Sequence, residues 1–419
     1  MLKKVLKRSS VAMFWALDAP LKLVIATQFA FNVGFYLVVP FLAAHLASDL
    51  ALAGWLIGLV LGLRTFSQQG MFFFGGALAD RFGVRRAIIV GCGVRISGFV
   101  TLAFATGLAG VIAGVVLVGL AAALFSPATE SAIVAWAGDA EAAGGPTRQE
   151  IIGLEIMASK LGTIVGPVLG GVLLVVPFRM TCLVAAAIFG VILIAQWVWL
   201  PRDARAGEQS SVRGALGGVV RNRRFLVFAL IHSSYLLCYN QLYLAMPVEL
   251  ERIGAPSANI TWMFGLAAVL TIALQTPLTR VALRWSGAAT LGRGYALLAA
   301  SFLIVAGFAA WQPWPGVAAY LPVVGFVVLL HLGQIFIVPA ARTVVAGLAG
   351  GENLGSYLGM LASAGGLAVL VGSTAIGTIL PWASQPTPGA AVPWVVLALP
   401  PAVSYVAAVL FCRRVRMSE

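Results

Sequence analysis

Residues 153–171 read GLEIMASKLGTIVGPVLGG, the pattern G-x8-G-x3-G-P-x2-G-G within an apolar segment. Gly162, Gly166 and Gly170 recur every fourth residue, which stacks them on one face of a helix. That face carries no side chains, so a neighbouring helix can approach at backbone distance, the packing that lipid-embedded helices favour. Pro167 removes one backbone donor and weakens the turn before it.

The surrounding chain has the composition such a helix needs. Hydrophobic residues make up 61% of the 419, charged residues 10%, and mean hydropathy is +0.99. Soluble domains are closer to about 25% charged. The apolar residues come in blocks of roughly 20 without period-two alternation, which predicts an all-α integral membrane protein and excludes a lipid-facing barrel. The net charge of +13 would suggest nucleic acid in a soluble chain, but here the arginines cluster in short loops, as the positive-inside bias demands. No nucleic-acid partner is expected. Cys92, Cys182, Cys238 and Cys412 lie in or at the end of spans with no CxxC spacing, so neither a disulfide framework nor a metal site is expected, and nothing calls for a cofactor. Met1 to Ser10 leads into a full-length span without a small-residue cleavage site, so the first span is expected to act as the targeting signal.

Hydropathy predicts twelve spans, near 20–44, 53–78, 87–107, 110–137, 150–176, 178–200, 224–248, 259–283, 290–311, 316–345, 353–381 and 392–412. Lys3, Lys4, Lys7 and Arg8 precede the first, and Arg81, Arg85 and Arg86 follow the second. Arg280, Arg284 and Arg293 flank the loop after the eighth, and Arg413, Arg414 and Arg416 close the chain. All of these clusters fall on one side, which predicts cytoplasmic termini in a bacterial inner membrane.

The longest polar connection, Pro201 to Arg223, divides two groups of six spans: an N-terminal bundle over 1–200, a cytoplasmic linker over 201–223 and a C-terminal bundle over 224–419. A repeat supports the division. Phe125-Ser-Pro-Ala-Thr-Glu130-Ser near the end of the fourth span is similar to Ile337-Val-Pro-Ala-Ala-Arg342-Thr near the end of the tenth. Gly58-Leu59 with Gln68 in the second span matches Gly265-Leu266 with Gln275 in the eighth. Duplicated six-span halves are a transporter architecture with the substrate site between them near the bilayer midplane.

Between the second and third spans runs Gly76-Ala-Leu-Ala-Asp80-Arg81-Phe-Gly83-Val-Arg85-Arg86, or G-x3-D-R-x-G-x-R-R. Gly83 permits a positive backbone angle, Asp80 can meet a helix N-terminus or a guanidinium, and the arginines hold the loop at the membrane surface. A topogenic basic loop would explain part of this pattern. Its position after the second of twelve spans makes it resemble the signature loop of the major facilitator superfamily. The stretch from Gly153, through Gly162, Gly166, Pro167, Gly170 and Gly171, matches the fifth-span motif of that superfamily's drug:proton antiporter branch. Leu61-Gly-Leu-Arg64-Thr-Phe-Ser-Gln68-Gln69-Gly70, running on to Gly83, resembles multidrug-resistance exporters of the MdtH kind, as does Gly254-Ala-Pro-Ser257 with Trp262-Met263.

The resemblance implies two pseudo-symmetric six-helix bundles rocking around a central cavity. It implies that Asp80 and the arginines after it form a conformational latch, and that the Gly-Pro stretch packs against the eighth span to seal the outer side. The related exporters carry an acidic residue in the inner part of the first span. Ala26-Thr27-Gln28 has none here, and Asp18 precedes the span, so a coupled proton must use another group.

Charges in a hydrocarbon layer are costly, so each is a functional candidate. Arg64, with Gln68 one turn on, is expected to line the cavity, either touching substrate or pairing in one state; an arginine does not release its proton. Glu130 and Glu155, with Asp80, are the proton-coupling candidates. The bland alternative for Glu130 is a salt bridge to Arg64 or Arg95, and for Glu155 an interfacial position near Glu150. Lys160 can snorkel. Asn32, Tyr36, Tyr239, Asn240, His331 and Gln334 complete the expected substrate cavity. The set Phe31, Phe35, Tyr36, Tyr235, Tyr239 and Tyr243 fits either an amphiphile site or ordinary packing, and for His232 and His331 the competing reading is hydrogen-bonded structure.

The leading functional reading is proton-driven export of small amphiphilic compounds by a single chain in the lipid bilayer. A dedicated exporter of a siderophore, lipid-like or other anionic or zwitterionic metabolite is the alternative, favoured by the excess of buried cations. A non-transporting receptor is a third. No nucleophile–base constellation or Gly-x4-Gly-Lys-Ser/Thr is present to suggest an enzyme.

Overall fold

Several helices run past their apolar windows, as Leu108–Ala142 does, and side-chain caps start three of the described ones, at Thr147, Asn222 and Ser286. In a computed structural model, which describes residues 10–72, 83–201, 218–350 and 354–416, a short helix Ser10–Ala16 precedes α1 (Ala19–Ser48), α2 (Gly54–Thr65), α3 (Val84–Phe104), α4 (Leu108–Ala142), α5 (Arg148–Val172) and α6 (Phe178–Trp199). The second group comprises α7 (Arg223–Arg252), α8 (Asn259–Ala282), α9 (Gly287–Ala309), α10 (Leu321–Ala349), α11 (Leu354–Ile379) and α12 (Ala391–Arg416). Eleven of the described helices are long and apolar enough to cross a membrane. The second span is described to residue 72, as α2 followed by a π-helical turn at Phe66–Gly70.

Thr147 starts α5 with a capping box: its side chain accepts from the Glu150 backbone N–H while the Glu150 carboxylate accepts from the Thr147 N–H at 2.8 Å. Asn222 starts α7 by accepting from the Phe225 N–H at 3.0 Å, and donates to the Leu348 carbonyl at the end of α10. Gly83 caps α3 with φ +86°, the conformation anticipated for the loop glycine. Gly76, Asp80 and Arg81 lie outside the described residues.

Two six-helix bundles form. In the first, α1 packs along α5 and α6, and α3 lies antiparallel to α4; in the second, α9 packs on α10 and α12, and α7 on α11. The glycine face of α5 lies on α1. A Cβ at Gly162 would sit 2.7 Å from the Asn32 Cβ, one at Gly166 2.6 Å from the Tyr36 Cβ, and one at Gly170 2.6 Å from the Leu37 carbonyl oxygen. The glycine face is therefore used within its own bundle. The contact with α8 comes from the helix's outer end, where Thr261 donates to the Pro167 carbonyl at 2.9 Å and lies against Gly171.

The bundles also meet along α2 and α11, which run antiparallel at backbone distance. A Cβ on Gly58 would run into the Ser373 carbonyl, one on Gly62 would lie 2.8 Å from the Leu370 Cα, and one on Gly366 3.0 Å from the Gly70 nitrogen. Ser363 donates to the Gly70 carbonyl at 3.0 Å, extending the seam to the middle of the fold. The α2 glycines Gly54, Gly58 and Gly62 have the same four-residue spacing as those of α5.

Candidate functional site

Between the bundles, aromatic side chains from both meet around one guanidinium. On α1, Phe35 packs edge-on to Tyr36 with ring centroids 4.9 Å apart, and Tyr36 packs against Phe264 of α8 at 5.9 Å. From α7, Tyr243 contacts Phe264 at 5.2 Å and Phe35 at 6.5 Å. Tyr235, Tyr239 and Tyr243 recur every four residues, so α7 turns one aromatic face inward. The Tyr36 hydroxyl lies within electrostatic reach of those of Tyr239 and Tyr243 across the bundles.

Arg64 sits beneath this cluster, buried, its guanidinium carbon 4.4 Å from the Phe35 ring centroid. It donates to the Gln68 side-chain oxygen, while its Nε has no partner. The π-helical turn begins two residues later and widens the helix where Gln68 and Gln69 face inward; such turns gather at functional sites. Arg95 approaches the same ring from the opposite side of the first bundle. Its guanidinium lies 5.8 Å from Phe35, 4.2 Å from Phe31 and 5.3 Å from Phe189, and its one hydrogen bond goes to the Val118 carbonyl at 2.6 Å. Neither arginine forms an ion pair among the described residues, so the anticipated bridge from Glu130 to Arg64 or Arg95 is not made.

Glu130 instead faces the other bundle. It is exposed on α4, and the charge that acts on it comes from Arg342 on α10, itself exposed. Glu155 on α5 lies close enough to feel the Glu130 charge. The repeat pairs Glu130 with Arg342 at equivalent positions of the two halves, so pseudo-symmetry brings a carboxylate and a guanidinium to one opening. Arg342 is the functional candidate that sequence reasoning left out of the site, although the repeat contained it.

The other expected residues divide. Asn32 donates to Ser159 of α5 at 3.1 Å and is half-buried at the cleft wall. Tyr239 packs on His331 with ring centroids 6.1 Å apart, and His331 bonds the Val327 carbonyl at 2.8 Å, as a structural histidine does. Gln334 is half-buried with its side-chain oxygen unpartnered. Asn240 is buried and accepts from Thr65 at 3.1 Å while donating to Ser373 at 3.2 Å, which ties α2, α7 and α11 together instead of lining the cleft. His232 is bonded to the Tyr295 hydroxyl at 3.0 Å. Phe31 stacks on Phe125 inside the first bundle, so the six-ring set is part packing and part site. At the loop, Arg85 donates to the Trp197 carbonyl at 2.7 Å, favourable at a helix C-terminus.

An outer cavity of about 460 Å³, lined by Arg252, Trp311 and Trp314, is separate. Arg252 is committed there, donating to both Glu249 oxygens at 2.7 and 2.8 Å and to the Trp311 carbonyl.

Two helical bundles that meet along glycine-lined helices and an aromatic, arginine-bearing interface have the architecture of a membrane transporter. The chain belongs to the major facilitator superfamily, whose model matches residues 24–373. It is 36% identical over 374 residues to an uncharacterized MFS-type transporter of Mycobacterium tuberculosis, covering 88% of each chain. It is 30% identical over 368 residues to the multidrug resistance protein MdtH of Aeromonas hydrophila, covering 87% of this chain and 88% of that one. Among solved structures, the nucleoside transporter NupG superposes with a TM-score of 0.75 at 15% identity, covering 94% of this chain and 99% of that one. The peptide transporter POT gives 0.73 at 14%, covering 94% and 93%. These two likenesses are of fold. The chain is a transporter and not an enzyme.

Proposed function

We propose that the protein exports small amphiphilic compounds across the bacterial cytoplasmic membrane, driven by proton uptake and alternating access. Residues 1–200 and 224–419 act as the rocking bundles, 201–223 as a cytoplasmic linker, and both termini lie in the cytoplasm. One chain carries both walls of the cleft, so a monomer is the working unit.

The observation that carries the reading is that Glu130 and Glu155 of one bundle and Arg342 of the other lie within electrostatic reach of one another without closing an ion pair. Two nearby carboxylates resist double ionisation. A proton relieves that repulsion; so does Arg342 if the bundles close on the termini side. The two events compete for one excess negative charge, and this competition links protonation to rocking. Asp80 is the remaining acid candidate, at the loop whose Gly76, Arg81, Gly83, Arg85 and Arg86 would latch one conformation. The outer ends are joined at Pro167–Thr261 and along α2–α11, while Glu130 and Arg342 are exposed, which supports a state open toward the termini. The name of the MdtH relative supports a drug-like substrate range.

The test is flux in proteoliposomes with an imposed pH gradient and a chemically diverse amphiphile panel. Transport of some members is expected to rise with the gradient and to collapse when a protonophore dissipates it. Flux that ignores the gradient across the whole panel would refute proton-driven export.

A further inference from the structure

We propose that Arg64, backed by Arg95, is the anchor for the anionic head of an aromatic amphiphile, whose ring packs against the cluster that Phe35 and Tyr36 of one bundle form with Tyr243 and Phe264 of the other. This rests on the export reading above and names the chemistry of its substrate.

Three observations lead there. First, Arg64 and Arg95 are respectively 6% and 1% exposed and flank the same Phe35 ring. Second, neither has a carboxylate partner among the described residues. Arg64 has five N–H donors and uses one on the neutral Gln68, with its Nε bare; Arg95 uses one on a carbonyl and leaves its Nε and Nη2 bare. A buried charge in this situation is costly, and aromatic faces offset part of that cost. Among the described residues, four rings surround Arg95 and one lies within cation–π reach of Arg64. Arg64 is thus the less compensated of the two, and it is the one beside the cleft, where Gln68 and Tyr36 are half-buried. Third, Tyr36, Tyr243 and Phe264 bring rings from both bundles into one cluster with the Phe35 that contacts Arg64. A carboxylate or sulfonate would meet the guanidinium fork with two charge-assisted hydrogen bonds, and the attached ring would stack on the aromatic cluster. An ammonium group at the same place would face two like charges.

Equilibrium binding of three probes to the purified whole chain in detergent tests this: 2-naphthoate, its uncharged isostere 2-naphthamide, and the cation 2-naphthylmethylammonium. Naphthoate is expected to bind about tenfold more tightly than naphthamide, ~1.4 kcal/mol, with the ammonium weakest. Arg64→Gln should bring naphthoate down to the naphthamide affinity. Arg64→Lys should keep part of the preference, having the charge without the fork. Equal binding of naphthoate and naphthamide by the unmodified chain overturns the proposal, as does a preference that survives in Arg64→Gln. The three probes on the unmodified chain decide the matter even if a variant misfolds. No gradient is imposed, so failure here is distinct from failure of proton-driven export, which the flux assay reads.

Discussion

Glu130→Gln is expected to cut gradient-driven export by at least about tenfold, equivalent to ~1.4 kcal/mol, while leaving substrate binding intact. The glutamine keeps the shape and loses the titration. Glu155 would then have no acid neighbour, and Arg342 no carboxylate to close upon, so the competition between proton and guanidinium disappears. Arg342→Gln should slow transport by removing the other competitor. If the two act as a pair, the double variant should be little worse than Glu130→Gln alone, because interacting residues are not additive. Proteoliposome flux under an imposed pH gradient, with binding measured separately, distinguishes the cases. Full gradient-driven flux in Glu130→Gln would remove this residue from the mechanism.

The second large effect is expected at Gly58. A leucine there would have to displace the Ser373 carbonyl, backbone that cannot swing aside as a side-chain tip could. Overpacking of this kind costs about 1–3 kcal/mol, and the least costly relief is to part α2 from α11 toward the outer side. Gly58→Leu should therefore loosen the outer closure and depress turnover. Hydrogen–deuterium exchange at the outer ends of α5 and α8, around Pro167 and Thr261, should rise together with the loss of flux. Wild-type flux with unchanged exchange at both ends would show that the seam has no part in closing the transporter.

Much of this was legible in the sequence because hydrocarbon thickness dictates span length. The expected window 353–381 falls on α11 (Leu354–Ile379), and 178–200 on α6 (Phe178–Trp199). Windows miss helix ends where polar turns continue past the membrane: 110–137 became Leu108–Ala142, because nothing in Asp139-Ala-Glu141 stops a helix. Azimuth is harder to read. Glycines at four-residue spacing announce a close approach without naming the partner, so the α5 face came to rest on α1, and the same spacing in α2 passed unnoticed as the seam with α11. Arg95 offered itself as a partner for Glu130 until its helix was seen to turn it into the rings of its own bundle. Arg342 was hidden in plain view: the repeat gave it the position equivalent to Glu130, but electrostatic reach across two halves emerges only once they are docked.

The uncompensated guanidiniums of Arg64 and Arg95 also have an electrical meaning. Carrying one elementary charge through the full membrane potential changes its energy by ~2.3 kcal/mol per 100 mV. If the bundles rock as proposed, water would withdraw from one face of these charges and reach the other, so their place in the voltage drop would change without their leaving their helices. The return of an empty carrier would then depend on voltage, and that of one holding a monoanion less steeply. Two arginines that look like binding chemistry in a still structure would in that case make the protein a voltage-sensitive carrier.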